Sequence, residues 1–230
     1  MRPDAVSNDI VLLPPVEKSQ SYKIKYELAT SQSMIEQYYG LLESVFQLRF
    51  DKNFQISLRE RVVNDMYGQI IVALDSDNKV VGGARIILST PKDRCQLPLE
   101  SPAVVLNCLL PELELNKKIY AEWGRFVRDP SLTQGSRIAE NISRIAVTVA
   151  SELGCEYLFA MPNVFMRNRY EKIFIEMGLE FKQAISPAKM PRHITFPTIP
   201  VYVAAIKLDK LKVSQLSLMA SDEQLQSLCA

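Results

Sequence analysis

The stretch Ile119-Tyr120-Ala121-Glu122-Trp123-Gly124-Arg125-Phe126-Val127-Arg128 decides the reading of this chain. It is apolar enough for a buried strand, yet it carries a carboxylate at 122 and a guanidinium at 125. Buried charges must be paired or put to use, so Glu122 and Arg125 are the first candidates for a site. Arg125 stands three positions on and points to the opposite side of an ideal strand unless a bulge re-aims it, and Gly124 is where such a bulge fits.

Working outward, Ile138, Ile142, Ile145, Val149 and Leu153, backed by Ala139, Ala146 and Ala150, predict a helix from Ser136 to Leu153, closed by Gly154. A short buried strand follows over Glu156 to Met161, then a helix from Met166 to Met177 stopped by Gly178, and a strand starting at 180–183. A segment with prolines at 187, 191, 197 and 200 leads to a last strand, Val201 to Leu208, and to a tail whose leucines at 211, 216, 225 and 228 suggest a peripheral helix.

Upstream, Gln69 to Leu74, the turn Asp75-Ser76-Asp77-Asn78 and Val80 to Ser89 read as a hairpin, with Gly82 and Gly83 marking a bulge or a close backbone approach. Thr90 to Pro102 is a loop, and Val104 to Leu113 a short helix. Ser33-Met34-Ile35-Glu36 has the form of a capping box, followed by Ile35, Tyr38, Tyr39, Leu42, Val45 and Phe46 at helical spacing. Ser57-Leu58-Arg59-Glu60 caps a second, shorter helix that reaches Asp65 or is replaced by irregular chain. Residues 1–30 read as an arm, 31–208 as one domain, and 209–230 as an appended tail. The order of elements implies an α/β (α+β) domain, a mixed twisted sheet with helices on both faces in three α-β-α layers.

Composition excludes several classes. The 230 residues are 47% hydrophobic, enough for one large core, and 27 basic side chains balance 26 acidic ones, so nucleic acid is not advertised as a partner. Cysteines at 95, 108, 155 and 229 form no CxxC pair, and with one histidine, His193, they build no recognised zinc spacing. No apolar run approaches the roughly 18 residues of a membrane span and no signal-peptide pattern opens the chain, which reads as cytoplasmic. GxGxxG, GxxxxGK[ST] and GxSxG are all missing, so dinucleotide, P-loop and nucleophile-elbow sites are excluded.

The element order, the run Gly82-Gly83-Ala84-Arg85-Ile86 and the segment Asn168 to Gly178 resemble the GNAT acyltransferase superfamily. Within it, Gly83-Ala84-Arg85, Ser89-Thr90-Pro91 and Glu122-x-x-Arg125-Phe126 resemble the acyl-homoserine-lactone (autoinducer) synthases and the long-chain N-acyl amino acid synthases, over about residues 34–208. The resemblance implies transfer of a fatty acyl group from a thioester, on acyl carrier protein or coenzyme A, to the primary amine of an amino acid or S-adenosylmethionine. It implies no metal and no permanently bound cofactor. Glu122 takes the place of the family's glutamate, a general base acting through water.

Arg125 and Arg85 are then anchors for an acceptor carboxylate, or Arg125 pairs with an acid such as Asp65; an ion-pair network that merely pins the sheet is the structural alternative. Phe46, Trp123 and Phe126 are candidates for lining an acyl tunnel, although aromatic residues at such spacings also make ordinary core. Arg128, Gly135, Ser136, Arg137 and Arg144, at the start of the best helix, correspond to the superfamily's phosphopantetheine or carrier-protein site. Arg167 and Arg169 extend that basic face.

Departures from the pattern shape the acceptor. Phe174 stands where many superfamily members have a proton-donating tyrosine. The autoinducer synthases' E-x-D-x-x-D signature is absent from Arg61-Val62-Val63-Asn64-Asp65-Met66-Tyr67, and Leu42 replaces the arginine four before Phe46, with Arg49 nearby as a substitute. These changes favour a plain amino acid over S-adenosylmethionine. An acetyl-coenzyme A enzyme acting on a small amine or protein lysine, and a non-catalytic acyl- or protein-binding domain, are the competing readings.

Overall fold

The computed structural model describes residues 23–50, 52–132, 135–191 and 199–209. Its elements run β1 (Lys25–Leu28), α1 (Gln32–Arg49), α2 (Leu58–Tyr67), β2 (Gly68–Leu74), β3 (Val80–Ser89), α3 (Leu106–Leu109), β4 (Tyr120–Arg128), α4 (Gly135–Glu152), β5 (Tyr157–Ala160), α5 (Arg167–Glu176), β6 (Phe181–Ile185) and β7 (Val203–Lys207), with short 3-10 turns between some of them. One seven-stranded sheet results, ordered β1-β2-β3-β4-β5-β7-β6. Every neighbouring pair is antiparallel except β4 with β5.

Three layers follow from the side-chain pattern. The stripe on α4 and the inward face of α5 bury against Ala84, Ile86, Trp123 and Leu158 on one face of the sheet. Tyr38, Tyr39, Leu42, Val45 and Phe46 of α1 bury against Ile70, Val72 and Val80 on the other. The loop after β3 folds onto that second face through Cys95, Leu97, Leu99 and Leu106, which meet Ile87, Phe159 and Val203.

Several expectations shift. The cap of α1 is Ser31, whose Oγ accepts the Met34 N–H, rather than Ser33. The arm expected through residue 30 contributes an edge strand, because Tyr26 buries and Lys25–Leu28 pairs with β2. The helix expected over Val104 to Leu113 is one turn, Leu106–Leu109, followed by a 3-10 turn starting at Pro111. Ser57 does cap α2, accepting the Glu60 N–H, and the helix runs on to Tyr67. Residues 1–22, His193 and the leucine tail lie outside the described residues.

Candidate active site

The strand β4 parts from its parallel neighbour in mid-course. Its pairing with β5 ends at Glu122↔Phe159, yet β4 continues to Arg128. Beyond Ala160 the other side turns toward β7, through the Tyr202 N–H to Pro162 and an Asn163↔Val201 bridge. A wedge opens between the two, and it holds a cavity of about 270 Å³.

The second half of β4 is re-aimed by a bulge. Gly83 pairs with Val127 but Arg85 pairs with Gly124, so two residues of β4, Arg125 and Phe126, stand opposite the single Ala84. Arg125 takes φ 53°, a left-handed conformation that costs a non-glycine residue about 1–2 kcal/mol. The extra residue reverses the alternation of faces: Trp123 and Phe126, three apart, both pack toward α4 and α5, while Val127 packs under α1. It also brings Arg125 to the face that carries Glu122, as the bulge anticipated at Gly124 requires.

Glu122 is buried at the apex of the wedge and borders the cavity. Its Oε2 accepts the Leu99 N–H at 2.7 Å, and its Oε1 stands 3.9 Å from Arg85 Nη2. Burial pushes its carboxyl above the ordinary value; Arg85, the Leu99 hydrogen bond and Arg125 only partly offset this, and Glu60 adds to the rise. A buried carboxylate with a raised pKa beside a cavity is the pattern of a general base or acid.

Arg125 and Arg85 do not wait for a ligand. Arg125 forms a two-pronged pair with Glu60, Nε to Oε1 at 2.7 Å and Nη2 to Oε2 at 3.0 Å, over the rings of Phe46 and Phe54. Arg85 reaches the same Oε1 at 2.6 Å. Burial raises the Glu60 carboxyl, but the two guanidiniums outweigh it and hold the group below its usual value. The acid that meets the arginines is thus Glu60. Asp65 lies one and a half turns on in α2, its side chain outside the described residues. A glutamate three after Ser57 is accounted for locally by helix capping, so nothing in the sequence pointed past that role.

The cavity brings together Phe46, Arg85, Glu122, Trp123, Arg125, Phe126 and Arg128, which the sequence singled out, with Arg49, the substitute for the missing helical arginine, and Arg169 of the basic face. Trp123 stands edge-on to Tyr170 and Phe174, with centroids 5.2 and 5.7 Å away. Tyr170 lines the cavity as a phenol, its pKa pushed up to about 12 by burial, whereas Phe174 is core. Burial and the charges of Arg49 and Arg169 push the Arg128 guanidinium down, which marks three cations converging at this end of the wedge. Arg137 and Arg144 do not line the cavity; Arg137 is exposed and Arg144 pairs with Glu140 at 2.9 Å. Gly135 and Ser136 open α4, their side-chain surroundings outside the described residues.

The mixed sheet, with its fourth and fifth strands splayed, is a GNAT-like fold. No protein-family profile matches the sequence, and no curated protein does. Among solved structures, FeeM, an N-acyl amino acid synthase from uncultured soil microbes, superposes with a TM-score of 0.65 at 14% identity, covering 88% of this chain and 98% of that one. BjaI, a coenzyme A-dependent acyl-homoserine lactone synthase, gives 0.55 at 13% identity over 88% and 92%. A GNAT-family acetyltransferase from Staphylococcus aureus Mu50 gives 0.51 at 12% identity over 81% and 100%. At such identities the likeness is one of fold.

Proposed function

We propose that this chain is an N-acyltransferase that moves a fatty acyl group from an acyl carrier protein or coenzyme A thioester to the primary amine of an amino acid or amino-acid-derived acceptor. The product is an N-acyl amino acid or an acyl-homoserine-lactone-type signal. The observation that carries this reading is Glu122 at the point where β4 leaves β5, facing a cavity of about 270 Å³. In this reading Glu122 draws a proton from the amine through a water, the thioester carbonyl lies against the unpaired edge of β4, and the thiolate leaves along the wedge.

The arginines at the far end of β4 support a donor that carries a phosphate. Arg128 stands six positions beyond Glu122, under about 20 Å at the rise of a strand. That span suits a phosphopantetheine arm with its thioester at Glu122 and its phosphate at Arg128, and Trp123, Phe126 and Met166 supply apolar wall between them. Arg85 and Arg125 serve the base electrostatically rather than as acceptor anchors, because Glu60 already occupies them.

The enzyme acts in the cytoplasm on this reading, as a single catalytic unit ending near residue 208. Among the described residues no helix is long and apolar enough to cross a membrane. Purified protein incubated with fatty acyl carrier protein, acyl-coenzyme A and a mixed amine pool is expected to yield an N-acylated product by mass spectrometry, with Glu122→Gln slower by about 10²- to 10⁴-fold. Thioester consumption equal in wild type and Glu122→Gln would defeat the assignment.

A further inference from the structure

The kink that aims β4 is held by a residue outside the candidate catalytic set. Tyr38 of α1 is fully buried, and its hydroxyl donates to the carbonyl oxygen of Arg125 at 2.8 Å, across 87 positions of sequence. That carbonyl belongs to the residue at φ 53°, the extra residue of the bulge. The ring reaches it because Gly83, on the neighbouring strand, has no Cβ: one built there would sit 2.7 Å from Tyr38 Cδ2. Three elements therefore meet at one backbone position, with α1 on the carbonyl, α2 on the guanidinium through Glu60, and β3 making room.

Glu122 feels the same position. Gly124, which precedes the bulge, lies so close under the carboxylate that an added Cβ would be 2.8 Å from Glu122 Oε1. Relaxing Arg125 moves Gly124, and with it the floor on which the carboxylate rests. We infer that Tyr38 is a positioning residue that locks the β4 bulge through the Arg125 carbonyl and so fixes the aim and the burial of the Glu122 carboxylate. The role rests on the acyl-transfer reading for its catalytic consequence, but the mechanical part stands on geometry alone.

Tyr38→Phe removes the hydroxyl and keeps the ring against Gly83, so the fold is retained. Tyr202→Phe is the control: it too deletes a buried hydroxyl, one without a hydrogen-bond partner, on a residue that does not line the cavity. Tyr38→Phe is expected to lower kcat about tenfold, as loss of one hydrogen bond felt at the transition state would. It should also move the acid limb of the pH–rate profile downward, because a loosened bulge admits water to Glu122 and removes part of the burial that raises its pKa. The other charged or titratable groups facing Glu122, namely Arg85 on β3, Arg125 on β4, Glu60 on α2 and Cys95 in the loop after β3, are unchanged in the variant.

Amide exchange of the peptide covering residues 124–127 is the readout independent of turnover, and it should accelerate in Tyr38→Phe but not in Tyr202→Phe. Exchange and acid limb both equal to wild type overturn the inference, as does an equal loss of kcat in the two variants. If wild type acylates no amine, the acyl-transfer reading fails by itself, and exchange at 124–127 still decides whether Tyr38 locks the bulge.

Discussion

Glu60 and Arg125 face each other head to head, with two hydrogen bonds of 2.7 and 3.0 Å, and the carboxylate turns one of the same oxygens to Arg85 at 2.6 Å. One acid therefore pairs with two guanidiniums, of which Arg85 is 2% exposed. Removing the acid strands a buried cation, and breaking such a pair is far more damaging than never having built it. Glu60→Ala is expected to lower the unfolding free energy by about 3–5 kcal/mol in urea titrations. A loss below about 1 kcal/mol would mean that water reaches Arg85 freely.

Glu60 and Glu122 also give stability opposite pH dependences. The folded pKa of Glu60 lies below its unfolded value, so its contribution is complete above the ordinary carboxylate range and fades as pH falls through the depressed folded pKa. Glu122 is raised from 4.5, so the folded state keeps a proton that the unfolded chain has released, and stability declines as pH rises from there to the elevated folded pKa. Glu122→Gln removes only the second effect. Its stability relative to wild type should climb across that window and then level off in denaturant titrations; a difference flat with pH contradicts the burial of this carboxyl.

What the sequence disclosed and what it hid divide along a physical line. The stripe on α4 and the apolar body of β4 were legible because burial repeats with the period of the element. Lys25–Leu28 was not, since four residues are too few to show a period. Tyr38 read as one more core aromatic of α1; its hydroxyl bond depends on a partner 87 positions away. Gly124 marked a place where a bulge fits, but that Arg125 and Phe126 share the place opposite Ala84 is a matter of register between β3 and β4, and no single-strand pattern carries register. Arg144 was read as part of the carrier-binding set, although a glutamate four residues before it accounts for its charge locally.

Gly124→Ala separates the base from the fold. The added Cβ would meet Glu122 Oε1 at 2.8 Å, and that oxygen is the free end of a flexible side chain rather than backbone. The carboxylate can swing aside only by giving up the Leu99 N–H, so stability should fall by about 1–3 kcal/mol, leaving the chain folded. Turnover should still fall about 10²-fold, because a base displaced by an ångström misses its proton. Paired melting and kinetic measurements check this, and wild-type turnover in a well-folded variant would show that the position of Glu122 does not matter to the chemistry.

Arg128→Ala tests the donor end of the wedge. Its guanidinium is anchored on the carbonyl oxygens of Asp129 and Leu132, each 3.2 Å away, so it presents a fixed charge to the cavity instead of sampling solvent. A phosphate bound there contributes to holding the donor equally in the ground and transition states, and losing it should raise the donor KM about tenfold with kcat nearly unchanged. A thioester truncated before the phosphate supplies the contrast: wild type should already bind it poorly, and Arg128→Ala should make that no worse. If the substitution weakens the full-length and truncated donors by the same factor, Arg128 shapes the wall of the cavity and the phosphate lies elsewhere. If it weakens only the full-length donor, the polarity of the wedge is fixed, with the reacting carbonyl at Glu122 and the carrier at the opposite mouth.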